Sequence, residues 1–368
     1  MSTLLAAKLA LGGRLAPGWA EVEGALLSGI GHGDPPRAPD QRLDGVLAPG
    51  LFDRQVNGGA GFEVTDGPDA LDAIDALQLA HGVTSYLPTL VSPVDGSALD
   101  ALAARVDDPG SPVAGVHLEG PFLSPEHAGM HPVDRLRVPA DGVPDWIEHP
   151  AVRLVTIAPE LPGALELIER LAGRGITVSL GHSGAPADVA RAGIDAGARM
   201  VTHVFNAMGP LHHRAPGLAG VALVDERVRV GVIPDGRHVD PVVLELVRRC
   251  AGDRVALVTD ATPAAGAGAG RFSMAGVQID EEGRTTDGRL AGSVLTLDAA
   301  VRGWVAATEA TLADALLAAA EPALPSGLAN LVLLDDRGGV QRVMRRGLWL
   351  DRDTGRCPNG ASTPDSQG

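Results

Sequence analysis

Aromatic side chains and cysteines are scarce in this chain of 368 residues, and basic side chains are outnumbered by acidic ones. Tyr, Phe and Trp together make up 3% of the residues, so a core has to be built mainly from Ala, Val and Leu. The net charge of −16 argues against nucleic acid or an anionic membrane as a partner, because both select basic surfaces. No stretch approaches the apolar length of a membrane span, and no basic region precedes an apolar run at the N-terminus. We therefore expect no membrane partner and a cytoplasmic location.

The two cysteines, Cys250 and Cys357, provide no disulfide framework, and neither belongs to a Cys-x-x-Cys pair. This usage is typical of proteins in a reducing cytoplasm. The length is sufficient for one large domain with a substantial core and a smaller second one.

Short apolar segments separated by Gly and Pro occur at both ends of the chain, over residues 1–48 and 325–352. Such segments are typical of short strands joined by turns. Because chain termini often lie close together, we predict that the two ends form one small β-sandwich-like domain. The large domain, residues 49–324, is then inserted between them. Residues 353–368 are rich in Gly, Pro, Ser and Asp, and we predict a disordered tail.

From about Gly45 onward, short apolar strands alternate with amphipathic helical patterns such as Asp69–Ala80, Gly163–Ala172 and Val242–Val247. Eight such strands predict the α/β class and a parallel (β/α)8 barrel of the TIM type. The predicted strands are Val46–Val56, Ser85–Thr89, Val113–Glu119, Leu154–Ala158, Thr177–Gly181, Met200–His203, Val228–Ile233 and Val255–Asp260.

Almost every predicted strand is followed by a side chain that can bind a ligand or transfer a proton. In barrels of this kind, the C-terminal strand ends form the mouth of the active site. Asp-containing turns are common at strand ends, so only the complete set carries weight. Its members are Gln55, Asn57, Thr89, Glu119, Glu160, His182, His203, Asp235 and Asp260.

Three of these residues have the side chains expected of a catalytic metal site: Glu119, His182 and His203. Two neutral imidazoles and one carboxylate leave a fourth position open, as catalytic zinc requires. We therefore predict one divalent metal ion per chain. Zinc fits best, although a His₂-carboxylate site also accepts iron and other divalent ions. The alternative interpretation is three unrelated polar residues that cap their strands.

A metal site of this kind needs a separate group to move protons, and Asp260 is the best candidate. It closes the eighth predicted strand after a run of apolar residues. The alternative is that Asp260 caps the following turn. The Gly-rich loop Ala264–Gly270 comes next, and it is either a flexible lid or a tolerated insertion.

Seven short motifs occur in a fixed order between about residue 45 and residue 310, and together they resemble the N-acetylglucosamine-6-phosphate deacetylases, a family of the amidohydrolase superfamily. Each motif alone is only moderately specific, whereas the ordered set is strong. The motifs are His-Leu-Glu-Gly-Pro-Phe, Gly-His-Ser, Thr-His-Val-Phe-Asn-Ala-Met, Arg-Ala-Pro-Gly, Asp-Gly-Arg-His-Val-Asp, Val-Thr-Asp-Ala and Leu-Ala-Gly-Ser.

The resemblance implies hydrolysis of the N-acetyl amide of N-acetylglucosamine 6-phosphate, which yields glucosamine 6-phosphate and acetate. By the same resemblance, Glu119, His182 and His203 are the metal ligands and Asp260 is the catalytic acid and base. His131 matches the family histidine that contacts the substrate near the scissile carbonyl, so it has a catalytic and a substrate-binding role.

The resemblance also implies a set of substrate contacts. Asn206 and Ala207 match the loop that holds the substrate, with Ala207 acting through its backbone. Arg214 and His238 match positions that bind the substrate, including its phosphate. In the family, phosphate-binding residues can come from the partner subunit, so a homodimer is expected.

One pair of positions predicts the number of metals. Many amidohydrolases carry a His-x-His pair at the end of the first strand, and this chain has Gln55 and Asn57 there. Amides are poor zinc ligands beside imidazole, which favours a single metal. Arg54 has no role that the sequence indicates. The pair His212–His213 has two interpretations: the imidazoles assist phosphate binding, or they are simply solvated.

Two other functions compete with this interpretation. One is another amidohydrolase that acts on a different amide, such as a dihydroorotase-like enzyme or an N-acyl-amino-acid deacylase. The absent His-x-His pair and the loop carrying Asn206 and Arg214 argue against it. The other is a non-catalytic sugar-phosphate-binding protein on a decayed barrel, which is expected to have lost at least one of the residues assigned to chemistry.

Overall fold

The computed structural model describes residues 2–320 and 327–350. The predicted tail at 353–368, Cys357 and the predicted boundary between residues 324 and 325 lie outside the described residues. No helix in the described part of the chain is both long enough and apolar enough to cross a bilayer.

Strands and helices alternate through most of the chain. The strands are β1 (Ser2–Leu11), β2 (Arg14–Glu23), β3 (Leu26–His32), β4 (Gln41–Pro49), β5 (Leu51–Val56), β6 (Gly58–Gly59), β7 (Phe62–Glu63), β8 (Val83–Val91), β9 (Val116–Glu119), β10 (Val152–Ile157), β11 (Thr177–Leu180), β12 (Met200–Val201), β13 (Arg229–Val232), β14 (Val255–Leu257), β15 (Arg271–Met274), β16 (Val277–Asp280), β17 (Leu331–Leu334), β18 (Val340–Arg345) and β19 (Leu348–Trp349). The α-helices are α1 (Pro68–Ala80), α2 (Leu99–Asp107), α3 (Ala164–Gly173), α4 (Ala187–Asp195), α5 (Gly217–Val224), α6 (Pro241–Ala251), α7 (Leu297–Ala307) and α8 (Leu312–Ala319).

Eight parallel strands form the barrel, in the order β14-β13-β12-β11-β10-β9-β8-β5. The predicted (β/α)8 architecture is therefore confirmed. Alternate residues point outward and pack against the helices, as Val155 and Val178 do, or inward, as Leu154 and Met200 do. Between β9 and β10 the chain forms short 3₁₀ turns instead of an α-helix: Pro125–His127, Val133–Arg135, Pro139–Asp141 and Asp145–Glu148.

The prediction of one strand over Val46–Val56 is wrong, because β4 and β5 belong to different sheets. The chain passes from one to the other at Gly50, where a Cβ would collide with the hydroxyl of Thr84. Two other predicted strands extend too far at their C-terminal ends by more than one residue. β12 ends before His203 and β14 ends before Asp260, and both of these residues have positive φ, which a strand does not accommodate.

The two ends of the chain share one sheet of seven strands, ordered β19-β18-β17-β4-β1-β2-β3. The sheet curls, because the backbone N–H of Leu27 in the edge strand β3 donates to the carbonyl of Gly327 ahead of β17 at 2.6 Å. One face encloses a separate apolar cluster that includes Leu5, Leu47 and Met344. The other face adds Val332 to the main core of the barrel. The sheet is thus apolar on both sides.

Asp53 joins the first and last strands of the barrel where the ring closes. Its side chain is fully buried. It accepts hydrogen bonds from the backbone of Gln55 at 3.3 Å and of Thr259 at 3.2 Å, and from the Thr259 hydroxyl at 2.6 Å. Burial raises the pKa of Asp53 to about 6, although these hydrogen bonds and the charge of Arg54 oppose the shift. Compared with the unfolded chain, the folded protein therefore favours the protonated form of the Asp53 carboxyl.

This shift predicts a pH-dependent stability that Asp53→Asn removes. Because the folded pKa lies above the ordinary value, the contribution of Asp53 is complete below about pH 4 and is lost as the pH rises through about 6. Asn imitates the protonated carboxyl at every pH. Relative to that of the wild type, the free energy of unfolding of the variant should therefore rise by about 2 kcal/mol between pH 4.5 and pH 7.5. Denaturant unfolding at both pH values measures this, and parallel pH curves would contradict it.

Candidate active site

Three of the residues predicted to carry chemistry sit just past a barrel strand in a left-handed backbone conformation. The φ angles are 49° at His182, 26° at His203 and 50° at Asp260. This conformation costs a residue other than glycine about 1–2 kcal/mol, and it persists where the surroundings hold it in place. At His182, Glu160 supplies such support by accepting hydrogen bonds from the Ser183 hydroxyl and the Gly184 backbone, both at 2.7 Å.

Glu119, His182 and His203 converge at the C-terminal mouth of the barrel. His182 Nε2 and His203 Nε2 lie 3.1 Å apart, and each lies close to Glu119 Oε1, at 3.2 and 3.0 Å respectively. All three side chains are buried. The residues that the sequence indicated as metal ligands are therefore together in space, with their ligand atoms within 4.8 Å of one another.

The chemistry of this cluster fits a bound cation. His182 Nδ1 lies 2.9 Å from the carbonyl of His127, so this nitrogen carries the proton and Nε2 presents its lone pair to the cluster. A lone pair, a carboxylate oxygen and a second imidazole nitrogen then face one another out of water. Such an arrangement needs a positive charge at its centre, either a proton or a metal ion.

The pKa values of the two histidines also indicate that the cluster needs a positive charge at its centre. Burial, together with the neighbouring His131, lowers the pKa of His182 to about 4, so this imidazole is neutral at pH 7. Burial would also lower the pKa of His203, but Glu119 and Asp260 raise it overall. Without a cation, a proton shared with Glu119 is the remaining source of positive charge.

Gln55 and Asn57 use their amide groups as donors to the two acidic residues of the site. Gln55 Nε2 donates to Glu119 Oε1 at 2.9 Å, and Asn57 Nδ2 donates to Asp260 Oδ1 at 2.7 Å. A His-x-His pair at these positions would offer lone pairs instead. The amides therefore orient the carboxylates and neutralise part of their charge.

Asp260 is buried beside the three-residue cluster. Burial and the negative charge of Glu119 raise the pKa of Asp260, while His203 and the hydrogen bond from Asn57 oppose the shift. Its backbone is held by the Leu-Ala-Gly-Ser motif, because the Ser293 backbone donates to the Asp260 carbonyl at 2.8 Å. Gly292 makes this approach possible, since a Cβ there would lie 2.6 Å from the same carbonyl oxygen. The motif therefore positions Asp260, a role that its sequence alone did not indicate.

His131 faces the cluster from the loop between β9 and β10. Its Nε2 lies 3.6 Å from Glu119 Oε2, and its Nδ1 lies 2.8 Å from the hydroxyl of Ser92. Ser92 is fully buried directly after β8, and its φ is 39°. Sequence reasoning missed Ser92, because a single serine after a strand has no distinguishing pattern. Its hydroxyl fixes the orientation of the His131 ring.

One cavity brings most of the predicted site residues together. Asn206, Ala207 and His238 line it beside the three-residue cluster, His131 and Asp260. Its cover includes Met274 from the β15–β16 hairpin, which sequence reasoning also missed, and residues 290–292 of the Leu-Ala-Gly-Ser motif, which had no assigned role. The Gly-rich loop does not line this cavity: Ala264 and Ala265 are buried, and Gly266 approaches Leu77 of α1.

Arg214 is exposed and does not line the cavity, in contrast to His238. His238 is anchored by Asp235, whose carboxylate lies 2.7 Å from His238 Nδ1 and accepts from its backbone at 2.9 Å. The neighbouring rings of His212 and His213 are exposed too, with their centroids 4.2 Å apart. Within one chain, the predicted phosphate contacts are therefore not all in one place.

Over most of its length the chain is similar to deacetylases of amino-sugar phosphates. It is 38% identical over 328 residues to an N-acetylgalactosamine-6-phosphate deacetylase of Escherichia coli O157:H7, a match that covers 82% of this chain and 87% of that protein. It is also 38% identical over 336 residues to the N-acetylglucosamine-6-phosphate deacetylase of Bos taurus, covering 81% and 82% of the two chains. No model of a known protein family matches the sequence.

A solved structure shares the fold. It is a mutant N-acetyl-D-glucosamine-6-phosphate deacetylase from Mycobacterium smegmatis in complex with N-acetyl-D-glucosamine-6-phosphate, and it is 33% identical to this chain. The two structures superpose with a TM-score of 0.85 over 95% of this chain and 99% of that one.

Proposed function

The chain belongs to the N-acetylglucosamine-6-phosphate deacetylase family, and from this we propose that it hydrolyses the N-acetyl amide of N-acetylglucosamine 6-phosphate to glucosamine 6-phosphate and acetate. The observation that carries the proposal is the cluster of Glu119, His182 and His203, which lies in one cavity with Asp260 and His131. Metal-dependent amide hydrolysis uses these parts: a cation-binding centre, a proton-transfer group and a donor to the carbonyl oxygen.

Glu119, His182 and His203 would hold one divalent cation. When bound, the cation supplies Lewis acidity, which polarises the amide carbonyl and makes a water a stronger acid. Two neutral imidazoles and one carboxylate favour zinc among the common divalent ions. Because Gln55 and Asn57 donate to the carboxylates, we propose one metal per chain. Elemental analysis of fully active protein tests this, and a ratio near two would contradict it.

Asp260 and His131 would handle the protons and the developing charge. Asp260 takes a proton from the attacking water and returns it to the leaving amine nitrogen. The raised pKa of Asp260 suits both steps, because general acid–base catalysis is most efficient when the pKa of the catalytic group lies near the operating pH. His131 donates to the amide oxygen as negative charge builds there, and Ser92 keeps the ring oriented for this contact.

We propose a homodimer in which Arg214 of one subunit contributes to phosphate binding in the other. The exposed position of Arg214 supports this, as does the planar guanidinium, which binds phosphate through two hydrogen bonds. Arg214→Ala should raise KM for the phosphorylated sugar at least about tenfold and change kcat little. Steady-state kinetics measures this, with Arg191→Ala as an exposed control on α4, and an unchanged KM would refute the assignment.

Mixed dimers separate this proposal from a contact within one chain. When Arg214→Ala and Asp260→Asn subunits are combined, a contact across the interface leaves one site with both groups intact and one site that lacks both. A contact within one chain leaves neither site intact. Co-purified heterodimers should then regain up to half of the wild-type activity if the chains complement each other.

We further propose a cytoplasmic location, in keeping with a phosphorylated sugar substrate and the absence of paired cysteines among the described residues.

The experiment that tests the function is acetate release from N-acetylglucosamine 6-phosphate and from the unphosphorylated sugar, before and after chelation. Turnover should be restricted to the phosphorylated sugar and lost on chelation. The galacto epimer is the second candidate substrate, because one relative at 38% identity is an N-acetylgalactosamine-6-phosphate deacetylase. Turnover of none of these compounds by metal-loaded protein would refute the proposal.

A further inference from the structure

Five arginines line a single cavity at the end of the barrel opposite the candidate active site. The cavity has a volume of about 530 Å³, and none of the described residues that line it is acidic. The whole chain carries 46 acidic and only 30 basic side chains, so this concentration runs against the overall charge. The arginines are Arg54, Arg153, Arg199, Arg227 and Arg229.

The position of these residues follows from the strands that carry them. Arg153 is the second residue of β10, Arg199 immediately precedes β12, and Arg229 is the first residue of β13. Thr177, the first residue of β11, lies between them and also lines the cavity. Because the strands are parallel and adjacent, their N-terminal ends meet at one mouth, and the guanidinium groups surround it.

Within residues 2–320 and 327–350, carboxylates pair with only part of the positive charge of Arg153, Arg199, Arg227 and Arg229. Arg227 forms ion pairs with Asp225 and Asp195, both at 2.7 Å. Arg153 and Arg199 donate to backbone carbonyls, among them those of Val152 and Ile194, but within residues 2–320 and 327–350 neither forms an ion pair with a carboxylate.

Arg229 is the clearest case. One of its terminal nitrogens donates to the carbonyl of Val255 at 3.3 Å. Its Nε is buried and has no hydrogen-bond partner among the described residues. Burial lowers the pKa of Arg229, and the charge of Asp253 only partly opposes this. The residue is only partly buried, but its buried Nε is a donor that an external acceptor in the cavity can satisfy.

The inner wall of the cavity is apolar. Phe52, Leu87, Leu154 and Met200 line it and belong to one cluster inside the barrel. The guanidinium of Arg54 lies 4.5 Å from the centroid of the Phe52 ring. The cavity therefore combines a cationic rim with an apolar floor.

We propose that this cavity binds a phosphate monoester whose organic part is apolar or aromatic. Arg153, Arg199 and Arg229 take the phosphate, and the floor around Phe52 takes the organic part. Phosphate suits this rim better than a carboxylate does, because it carries two negative charges and offers several oxygens to guanidinium groups on different strands. The site is separate from the proposed deacetylase site and does not depend on it.

Calorimetric titration of the full chain with phenyl phosphate tests the proposal. The affinity should fall at least tenfold in Arg153→Gln/Arg199→Gln and stay unchanged in Arg14→Gln/Arg191→Gln, which removes two charges from exposed positions. Arg214→Ala/His238→Ala should leave this binding intact. If only that last variant loses binding, phenyl phosphate occupies the active site and the proposal is overturned.

A second variant guards against an effect on folding. Thr177→Glu places a carboxylate among the arginines from an exposed position on β11. We expect loss of phenyl phosphate binding together with a higher melting temperature, because the new charge replaces the ligand. Undiminished binding in this variant would overturn the proposal. Inorganic phosphate should bind at least tenfold more weakly than phenyl phosphate, and equal affinity would contradict a role for the apolar floor.

Discussion

Asp260→Asn should lower kcat by about 10²–10⁴-fold, because the variant keeps the shape of the side chain but can no longer accept the proton of the attacking water. The amide still offers Oδ1 to Asn57, so the local hydrogen bond at 2.7 Å can persist. The metal content should remain that of the wild type, since Asp260 lies outside the cluster of Glu119, His182 and His203. Steady-state kinetics and elemental analysis of the same preparation measure the two effects.

Asp53→Asn is a matched control for this experiment. It makes the same change from carboxyl to amide on β5. There the Asp53 carboxyl accepts a hydrogen bond from Thr259 and does not line the cavity. Its kcat should stay within about twofold of the wild type. Near-normal turnover in Asp260→Asn would remove Asp260 from the mechanism, whereas equal losses in both variants would indicate general damage to the barrel wall.

His203→Ala should abolish metal binding at working concentrations, and turnover with it. His203 Nε2 is one of three atoms that face the centre of the cluster, and its removal leaves two ligands where catalytic zinc needs three from the protein. Gln55→Ala provides a graded comparison. The side-chain amide of Gln55 donates to the ligand Glu119 and is not itself a ligand, and loss of such outer contacts typically costs 10- to 100-fold in metal affinity.

Competition of apo protein with a chromogenic chelator measures both affinities without an activity assay. We expect wild type to bind most tightly, Gln55→Ala next and His203→Ala weakest. Full metal occupancy in His203→Ala would show that this histidine is not a ligand. Equal weakening in the two variants would instead mean that Gln55 contributes as much as an imidazole, and that the first-strand amides need a different role.

The sequence predicted the cluster because barrel topology converts order along the chain into proximity. Once eight parallel strands are recognised, residues such as His182 and His203 must meet at one rim, whatever the loops do. Apolar alternation sufficed for the strands themselves. It failed at Gly50, where an apolar run continues from one sheet into another, since periodicity does not tell which neighbours a strand will have.

Other parts of the site depend on loops whose paths have no local signature. Ser92 reaches His131 across 39 positions of sequence, and Met274 arrives from a hairpin that follows the barrel strands. The arginines at the opposite mouth are equally hidden. Arg153, Arg199 and Arg229 lie at the starts of three different strands, and only the ring of strands brings them to the same cavity.

The seven-stranded sheet combines strands from both ends of the chain, and these strands are synthesised at different times. During synthesis β4 leaves the ribosome long before β17, its antiparallel neighbour, which follows the whole barrel. Until β17 arrives, β4 pairs with β1 on one side only and leaves an apolar edge open to other chains. The nascent protein is therefore most prone to aggregation late in translation, and a stop codon ahead of Leu331 would make that vulnerable state permanent.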